Sequence, residues 1–386
     1  MVKLVQFSFL EFSLTNLYNK LIDNNYTIIG AGVVGLAMAQ LLLKQGAAVT
    51  LLDRGFVGQE STWAGAGILS PLCPWDYPDA VTDLTSRGAV LYPQWVAELQ
   101  SVTGIDPEYD LSGLKILSSL DAPSLKTSPL DMPLAQHWCE EHTVRLECQT
   151  ENIFLPDVAQ VRNPRLIQAL RKHVEILGGK IVEQCEVLEI ATKVDRVQSV
   201  TTTLGEFRSD NFIVCAGAWS TRVLGQHALQ LDIKPIRGQM LLYKFDSPPL
   251  GHIILHDGVY LIPRRDGHVL VGSTLEDAGF DKSITTDARD FLGLRALQIL
   301  PQLRDMPIIQ HWSGLRPASP QNIPTIGRHP HLKNLYVNSG HFRYGVTMAP
   351  SSAEILLNEI TGVPQALDIA PYQAGWGRAE KPGAEG

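Results

Sequence analysis

Three glycines at fixed spacing, in Gly30-Ala31-Gly32-Val33-Val34-Gly35, stand between a short β-rich run, Asn25–Ile29, and an apolar helical run that continues to Gln45. A second β-rich run, Ala47–Leu52, ends on Asp53. Each glycine meets one requirement of a dinucleotide. Gly30 permits a tight turn, Gly32 lets backbone N–H groups reach a pyrophosphate, and Gly35 lets helix and strand pack closely. The phosphates would rest on the helix N-terminus, where unpaired N–H groups and the helix dipole favour negative charge. Asp53 would accept hydrogen bonds from an adenosine ribose. Glycine spacing alone is weak, but strand, helix, second strand and acidic terminus in order favour a dinucleotide site over a structural turn.

Further along, Gly58-Gln59-Glu60-Ser61-Thr62-Trp63-Ala64-Gly65-Ala66-Gly67-Ile68-Leu69 is rich in small and hydroxylic residues. Such a segment can pass close to a cofactor and offer it N–H and O–H donors. The alternative, a plain flexible loop, would not need Trp63 and Ile68-Leu69. Phe212–Trp219 is an apolar strand ending in Ala216-Gly217-Ala218, suited equally to a second approach to the dinucleotide and to an ordinary buried strand. Arg316 can grip a carboxylate with two prongs, which lysine cannot reproduce. Most arginines form surface ion pairs, but this one lies between Trp312 and a proline-rich return, which favours a buried anion site. The Tyr260 hydroxyl can add a hydrogen bond, although a strand tyrosine is by default a core residue. No feature makes His341 a base.

Composition narrows the class. With 386 residues and 45% hydrophobic content the chain can bury two cores. A net charge of −8 argues against nucleic acid or anionic membrane as the main partner. No apolar run is long enough to span a bilayer. Cys73, Cys139, Cys148, Cys185 and Cys215 are odd in number and form no C-x-x-C pair, which suits reduced thiols in the cytoplasm. The histidines form no H-E-x-x-H set, and His329-Pro330-His331 reads as ordinary surface in a turn, so no metal is expected.

The elements that must carry these groups follow in order. Residues 1–24 read as a loosely held extension, or an upstream start that is not used, with Leu10, Leu14, Leu17 and Leu21 at helical spacing. No small-residue cleavage site marks a secretory signal. Pro78–Gln100 reads as a long helix divided or bent at Pro93 and stopped by Gly104. Residues 105–155 read as irregular, with Pro123, Pro129 and Pro133 in a polar loop. Asn163 reads as an N-cap with Pro164 at the first helical position, and Gly178-Gly179 as the helix end. Lys180–Ile190 reads as one strand and Val194–Phe207 as a hairpin or meander. Gln239–Phe245, Val259–Pro263 and His268–Gly272 read as antiparallel strands, with a hairpin turn at Arg264-Arg265-Asp266-Gly267. Asp287–Leu300 reads as a helix across them. The strand Asn334–Asn338, the loop Ser339-Gly340-His341-Phe342-Arg343-Tyr344-Gly345 and the helix Val346–Thr361 follow. From Tyr372 the chain reads as a frayed tail.

The loop Ser339–Gly345 with its helix resembles the C-terminal flavin segment of the D-amino-acid oxidase superfamily. Together with Gly30–Gly35, Asp53-Arg54, Ser61–Leu69 and Val214–Trp219, the resemblance covers nearly everything from Asn25 to Gly362. Within that superfamily it is nearest to the glycine oxidases of thiamine-thiazole biosynthesis, through Gly-Ile-Leu-Ser-Pro at 67–71, Val-Gly-Ser-Thr at 271–274 and Gly-His-Phe-Arg at 340–343.

The resemblance implies an α/β chain, with a Rossmann-like FAD-binding domain of glutathione-reductase type and an inserted, mainly antiparallel β substrate domain. The FAD-binding domain would take residues 25–88, 156–224 and 320–370, the substrate domain 89–155 and 225–319, and the tail 371–386. By resemblance, backbone atoms of Val33 and Val34 meet the pyrophosphate of FAD, and Asp53 and Arg54 meet its adenosine. Ser61, Thr62, Ala66, Gly67 and Ile68 line the flavin, and Val187 touches the adenine side. Ala216 and Gly217 form the second approach, and Gly340, His341, Phe342, Arg343, Tyr344, Gly345, Val346 and Thr347 cradle the ring. Arg316 matches the arginine that holds the substrate carboxylate, Tyr260 the tyrosine that assists it, and Arg343 lies at the amino-group side. Gly258 stands where a histidine can occur and Leu275 where a methionine often lines the pocket.

Because no cysteine follows Cys215, where related sarcosine oxidases attach their flavin, noncovalent FAD is expected. The implied reaction is hydride transfer from a small amino acid to flavin, giving an imine and, with dioxygen, hydrogen peroxide. A cytoplasmic homo-oligomer, a tetramer being one form, is expected. The alternatives are a D-amino-acid or sarcosine-type dehydrogenase or oxidase of the same superfamily and, from another class, a non-catalytic flavin-binding module.

Overall fold

The computed structural model describes residues 24–118, 131–149 and 152–376. The expected N-terminal extension, up to residue 23, and the loop around Pro123 and Pro129 lie outside them. Among the described residues the chain forms a six-stranded sheet, an eight-stranded sheet and a three-stranded meander.

The six-stranded sheet runs Thr325–Arg328, Leu335–Ser339, Asn211–Val214, Asn25–Ile29, Ala48–Leu52, Lys180–Val182. Its neighbours are parallel except the first pair. Ile28, Ile213, Val214 and Leu51 are fully buried, because helices cover one face and the meander side covers the other. That is why these strands are continuously apolar rather than alternating. The helix Val33–Lys44 is buried almost all round, packed among helices Asp79–Thr103, Asn163–Ile176 and Gly345–Thr361.

The eight-stranded sheet runs Gln310–Ala318, Lys234–Lys244, His268–Gly272, Val259–Pro263, Ile253–His256, Leu114–Ile116, Asn152–Leu155, Glu147–Gln149. It is antiparallel except where Ile253–His256 meets Leu114–Ile116. Its two faces separate with the strand period of two. Val259 and Leu261 pack with the helix Thr286–Ile299, while Tyr260 and Ile262 turn to the opposite core, which also holds Met240 and Trp312.

Several expectations need correction. Residues 105–155 are not irregular, since three short strands and the helix Met132–Glu141 lie there, with Pro133 in the helix's first turn. These strands of three or four residues are too short to show a period. Lys180–Ile190 is not one strand. It breaks at Glu183–Glu186, with Lys180–Val182 in the parallel sheet and Val187–Lys193 in the meander. Asn163 is not the cap of its helix, whose N-cap is Arg162. The Asn163 Nδ2 instead donates to the carbonyls of Thr62 (2.7 Å) and Gly65 (3.0 Å). His329 is 3% exposed rather than on the surface, with its ring spanning a turn: Nδ1 accepts from the N–H groups of His331 and Leu332. The chain is not frayed at Tyr372, which is fully buried and donates to the Ala80 carbonyl at 2.7 Å. The helix Asp79–Thr103 runs unbroken through residue 88, and Tyr92, Trp95 and Leu99 share the core of the parallel sheet.

Candidate functional site

One cavity of about 1100 Å³ lies where the C-terminal ends of the parallel strands face the eight-stranded sheet. It exceeds the usual range for a pocket holding a small ligand, so it can take a molecule much larger than an amino acid. At one end it is bordered by Gly30, Gly32, Val33 and Val34. Gly30 has φ +107° and a side chain there would run into the Cys215 carbonyl, so only glycine fits this turn. The helix Val33–Lys44 begins at this point, and the Val33 N–H donates to the Thr62 hydroxyl at 3.2 Å. Thr62 thus places a hydroxyl on a helix N-terminus whose own N-cap is a glycine.

Asp53 borders the same end, but its carboxylate is already engaged: Oδ2 accepts from the Ala31 N–H and Oδ1 from the Gly55 N–H, both at 2.8 Å. Burial raises its pKa. Asp53 therefore holds the glycine turn together, a role its position at the strand end did not reveal. Arg54 lies over the Trp219 ring at 4.3 Å, Trp219 packs on Phe280 at 5.5 Å, and Arg222 lies over Phe280 at 3.5 Å. Val187, Ala216 and Gly217 also border this half.

The middle is built by Ser61, Thr62, Ala66, Gly67 and Ile68. A residue read as part of a hairpin turn anchors Ala66 from behind: Arg264 is 5% exposed and donates to the carbonyls of Ala66 (2.7 Å) and Val161 (2.9 Å) and to Gln160 Oε1 (2.7 Å). Burial without a bonded carboxylate pushes its pKa down to about 10. The arginine doublet before Asp-Gly carried no signal that one member turns inward.

The far end is bordered by His341, Phe342, Arg343, Tyr344, Gly345 and Val346. This loop is pinned by Phe342 N–H donating to the Pro317 carbonyl at 3.0 Å and by Ser319 Oγ donating to the Gly340 carbonyl at 2.6 Å. His341 is 2% exposed, and burial pushes its pKa down to about 3, so the ring is neutral at physiological pH. Its Nε2 has no partner. Tyr344 hydrogen-bonds Tyr77 through the two hydroxyls.

Three expected contact residues do not border the cavity. Gly35 faces the Gly30 carbonyl and sets helix-to-turn spacing. Gly340 (φ +89°) packs on Ile233 and Ser319 behind the loop. Thr347 is fully buried and donates to the Ile68 carbonyl at 3.2 Å, tying two cavity segments together.

Arg316, Tyr260 and Arg343 converge at the far end. Arg316 lies in the strand Gln310–Ala318, four residues beyond Trp312 and so on the same face. Its guanidinium donates to the Thr274 carbonyl at 3.2 Å and Ser273 Oγ at 2.6 Å, and the Tyr260 hydroxyl lies near enough to act on its pKa, against the effect of burial. Among the described residues no carboxylate pairs with it. Burial lowers its pKa, and the nearby positive charge of Arg343 lowers it further. Ser273 and Thr274 were quoted in the sequence only within Val-Gly-Ser-Thr and with no role at the guanidinium, and Gly238, which also shapes this corner, was not singled out because a glycine that makes room leaves no residue signature. Gly258 and Leu275 also border the cavity.

The residues present fit a flavin dinucleotide: a glycine turn and helix N-terminus at one end, a neutral histidine with an unpartnered ring nitrogen at the other, and a cavity long enough to join them. The chain is 41% identical to a glycine oxidase of Pseudomonas aeruginosa, with 89% of this chain and 97% of that one covered. It is 30% identical to a bifunctional protein ThiO/ThiG of Trichormus variabilis, covering 86% of this chain and 52% of that one. A crystal structure of glycine oxidase from Bacillus cereus shares the fold with a TM-score of 0.81 at 24% identity, covering 89% of this chain and 96% of that one. A family model described as FAD dependent oxidoreductase (DAO) matches residues 25–358, and this chain belongs to that family.

Proposed function

We propose that this protein oxidises glycine and other small amines, with Arg316, Tyr260 and Arg343 as the residues that bind and orient the substrate. The chain is an FAD-dependent amino-acid oxidase. The observation that carries the substrate site is the Arg316 guanidinium, largely buried, fixed by Ser273 and Thr274, and without a carboxylate partner among the described residues. A buried cation so placed supplies the counter-charge for an incoming carboxylate.

Arg316 would take the substrate carboxylate in a two-pronged grip, and the Tyr260 hydroxyl would donate a third hydrogen bond. This fixes the α-carbon relative to the flavin-facing loop 341–345. Arg343 adds positive charge at the amino-group side and so favours the neutral amine over ammonium. His341 stays neutral and takes no proton from the α-carbon. Bound FAD would supply the acceptor for the α-carbon hydride, with dioxygen as the terminal oxidant and hydrogen peroxide as its product. The imine then hydrolyses to glyoxylate and ammonia or passes on to thiazole formation for thiamine. Soluble homo-oligomers, tetramers among them, in the cytoplasm fit this reading. No helix among the described residues is long and apolar enough to cross a membrane.

Anaerobic mixing of the purified flavoprotein with glycine, sarcosine and D-alanine tests the proposal. Bleaching of the flavin absorbance with a stoichiometric peroxide yield on re-aeration is expected. Bound flavin that no small amine bleaches would overturn it, and dye reduction without peroxide would mark a dehydrogenase instead.

A further inference from the structure

The cavity wall holds a carboxamide that nothing in the protein uses. Asn338 is 1% exposed and borders the cavity, and neither its Nδ2 nor its Oδ1 has a hydrogen-bond partner. The next residue is fully engaged: Ser339 Oγ shares a hydrogen bond with Ser220 Oγ at 2.7 Å and donates to the Gly217 carbonyl at 3.3 Å. Buried amides are nearly always paired, since an empty donor and an empty acceptor each forgo the hydrogen bond they had in water. Asn338 is therefore built for a group that the chain itself does not provide.

Strand register places that group. Val337 pairs with Val214, and Val214 with Ile29, so Asn338 stands one residue further, level with Cys215 and Gly30. Alternation puts it on the face of Tyr336, which packs in the core beneath the helices Val33–Lys44 and Gly345–Thr361. Both of these helices begin at the cavity. Asn338 thus lies between the glycine turn suited to the pyrophosphate and the loop suited to the ring. A phosphate oxygen would satisfy Nδ2 but leave Oδ1 empty, whereas neighbouring hydroxyls satisfy both. The part of FAD between phosphate and ring is a polyol.

We propose that the Asn338 carboxamide binds the ribityl chain of FAD, with Nδ2 donating to one hydroxyl oxygen and Oδ1 accepting from a neighbouring hydroxyl. This rests on the assignment of FAD to the cavity. The test strips FAD from the holoenzyme and titrates it back, following flavin fluorescence. Asn338→Ala should weaken FAD binding by about 10- to 100-fold, the cost of losing a buried polar pair. Wild type should lose affinity to a similar degree for at least one FAD analogue lacking a single ribityl hydroxyl, and Asn338→Ala should lose nothing more with that analogue. Equal FAD affinity in wild type and Asn338→Ala would overturn the proposal and leave a role for buried water only. If Asn338→Ala does not fold, the analogue series on wild type decides, and analogues that all bind as tightly as FAD overturn the proposal. Wild type that carries no FAD to strip and takes up none on titration would overturn the cofactor assignment along with it.

Discussion

The guanidinium of Arg316 covers Gly238 on the neighbouring strand so closely that a β-carbon at 238 would overlap Nη1, Nη2 and Cζ. Register explains the contact: Gly238 pairs with Gly314, two residues before Arg316 on the same face. Gly238→Ala should therefore displace the guanidinium while leaving the FAD half of the cavity untouched. We expect the KM for glycine to rise by about 10-fold or more, in line with one misplaced contact in a positioned site, with FAD affinity unchanged. An unaltered KM would mean that Arg316 does not contact substrate from this position.

Arg316→Ala removes the cation itself. Substrate binding should weaken by about 2–5 kcal/mol, as for truncating one side of a buried charge pair. Arg316→Lys should recover only part of this, because an ammonium cannot reproduce the two-pronged geometry. Steady-state kinetics with glycine, alongside inhibition by simple carboxylates, measures both. A variant that keeps its Michaelis constant for glycine contradicts the role.

Arg264 serves the cavity from behind. Arg264→Ala leaves the Ala66 and Val161 carbonyls and Gln160 without their donor, at about 1–3 kcal/mol for each buried group left unpaired. Thermal unfolding should show a lowered Tm, and FAD should dissociate more readily because Ala66-Gly67-Ile68 lose their anchor. A Tm within error of wild type would show that the buried hydrogen bonds contribute no net stability.

His341 sets an acid limit on the FAD-free protein. Its pKa is about 3 in the fold against 6.5 in the unfolded chain, so between these values the unfolded state holds the proton and the folded state does not. The stabilisation is complete above pH 6.5, is lost as pH falls toward 3, and declines no further below that. The expected slope in this window is up to ~1 kcal/mol per pH unit from this group. Urea unfolding of the apoprotein from pH 7 to 4 should show a steeper loss for wild type than for His341→Gln. Identical slopes would place the acid lability elsewhere, His173 being the next buried candidate.

By itself the sequence determined the parallel nucleotide sheet, because Gly30–Gly35, the apolar strands and Asp53 are local signals whose spacing repeats a physical requirement. It also marked out Arg316 as a buried cation and the loop 339–345 as a second glycine-rich approach. The short strands 114–116, 147–149 and 152–155 were not legible, since three or four residues cannot display a period and the first of them joins the sheet only through Ile253–His256, more than a hundred residues away. Tertiary structure alone decided which member of Arg264-Arg265 is buried, that Asn163 holds the 62–65 turn instead of capping a helix, and that Gly238 makes room for Arg316. Each of these is a contact between distant segments made with backbone atoms, and backbone atoms are the same in every residue, so the sequence carries no mark of them until the chain has folded.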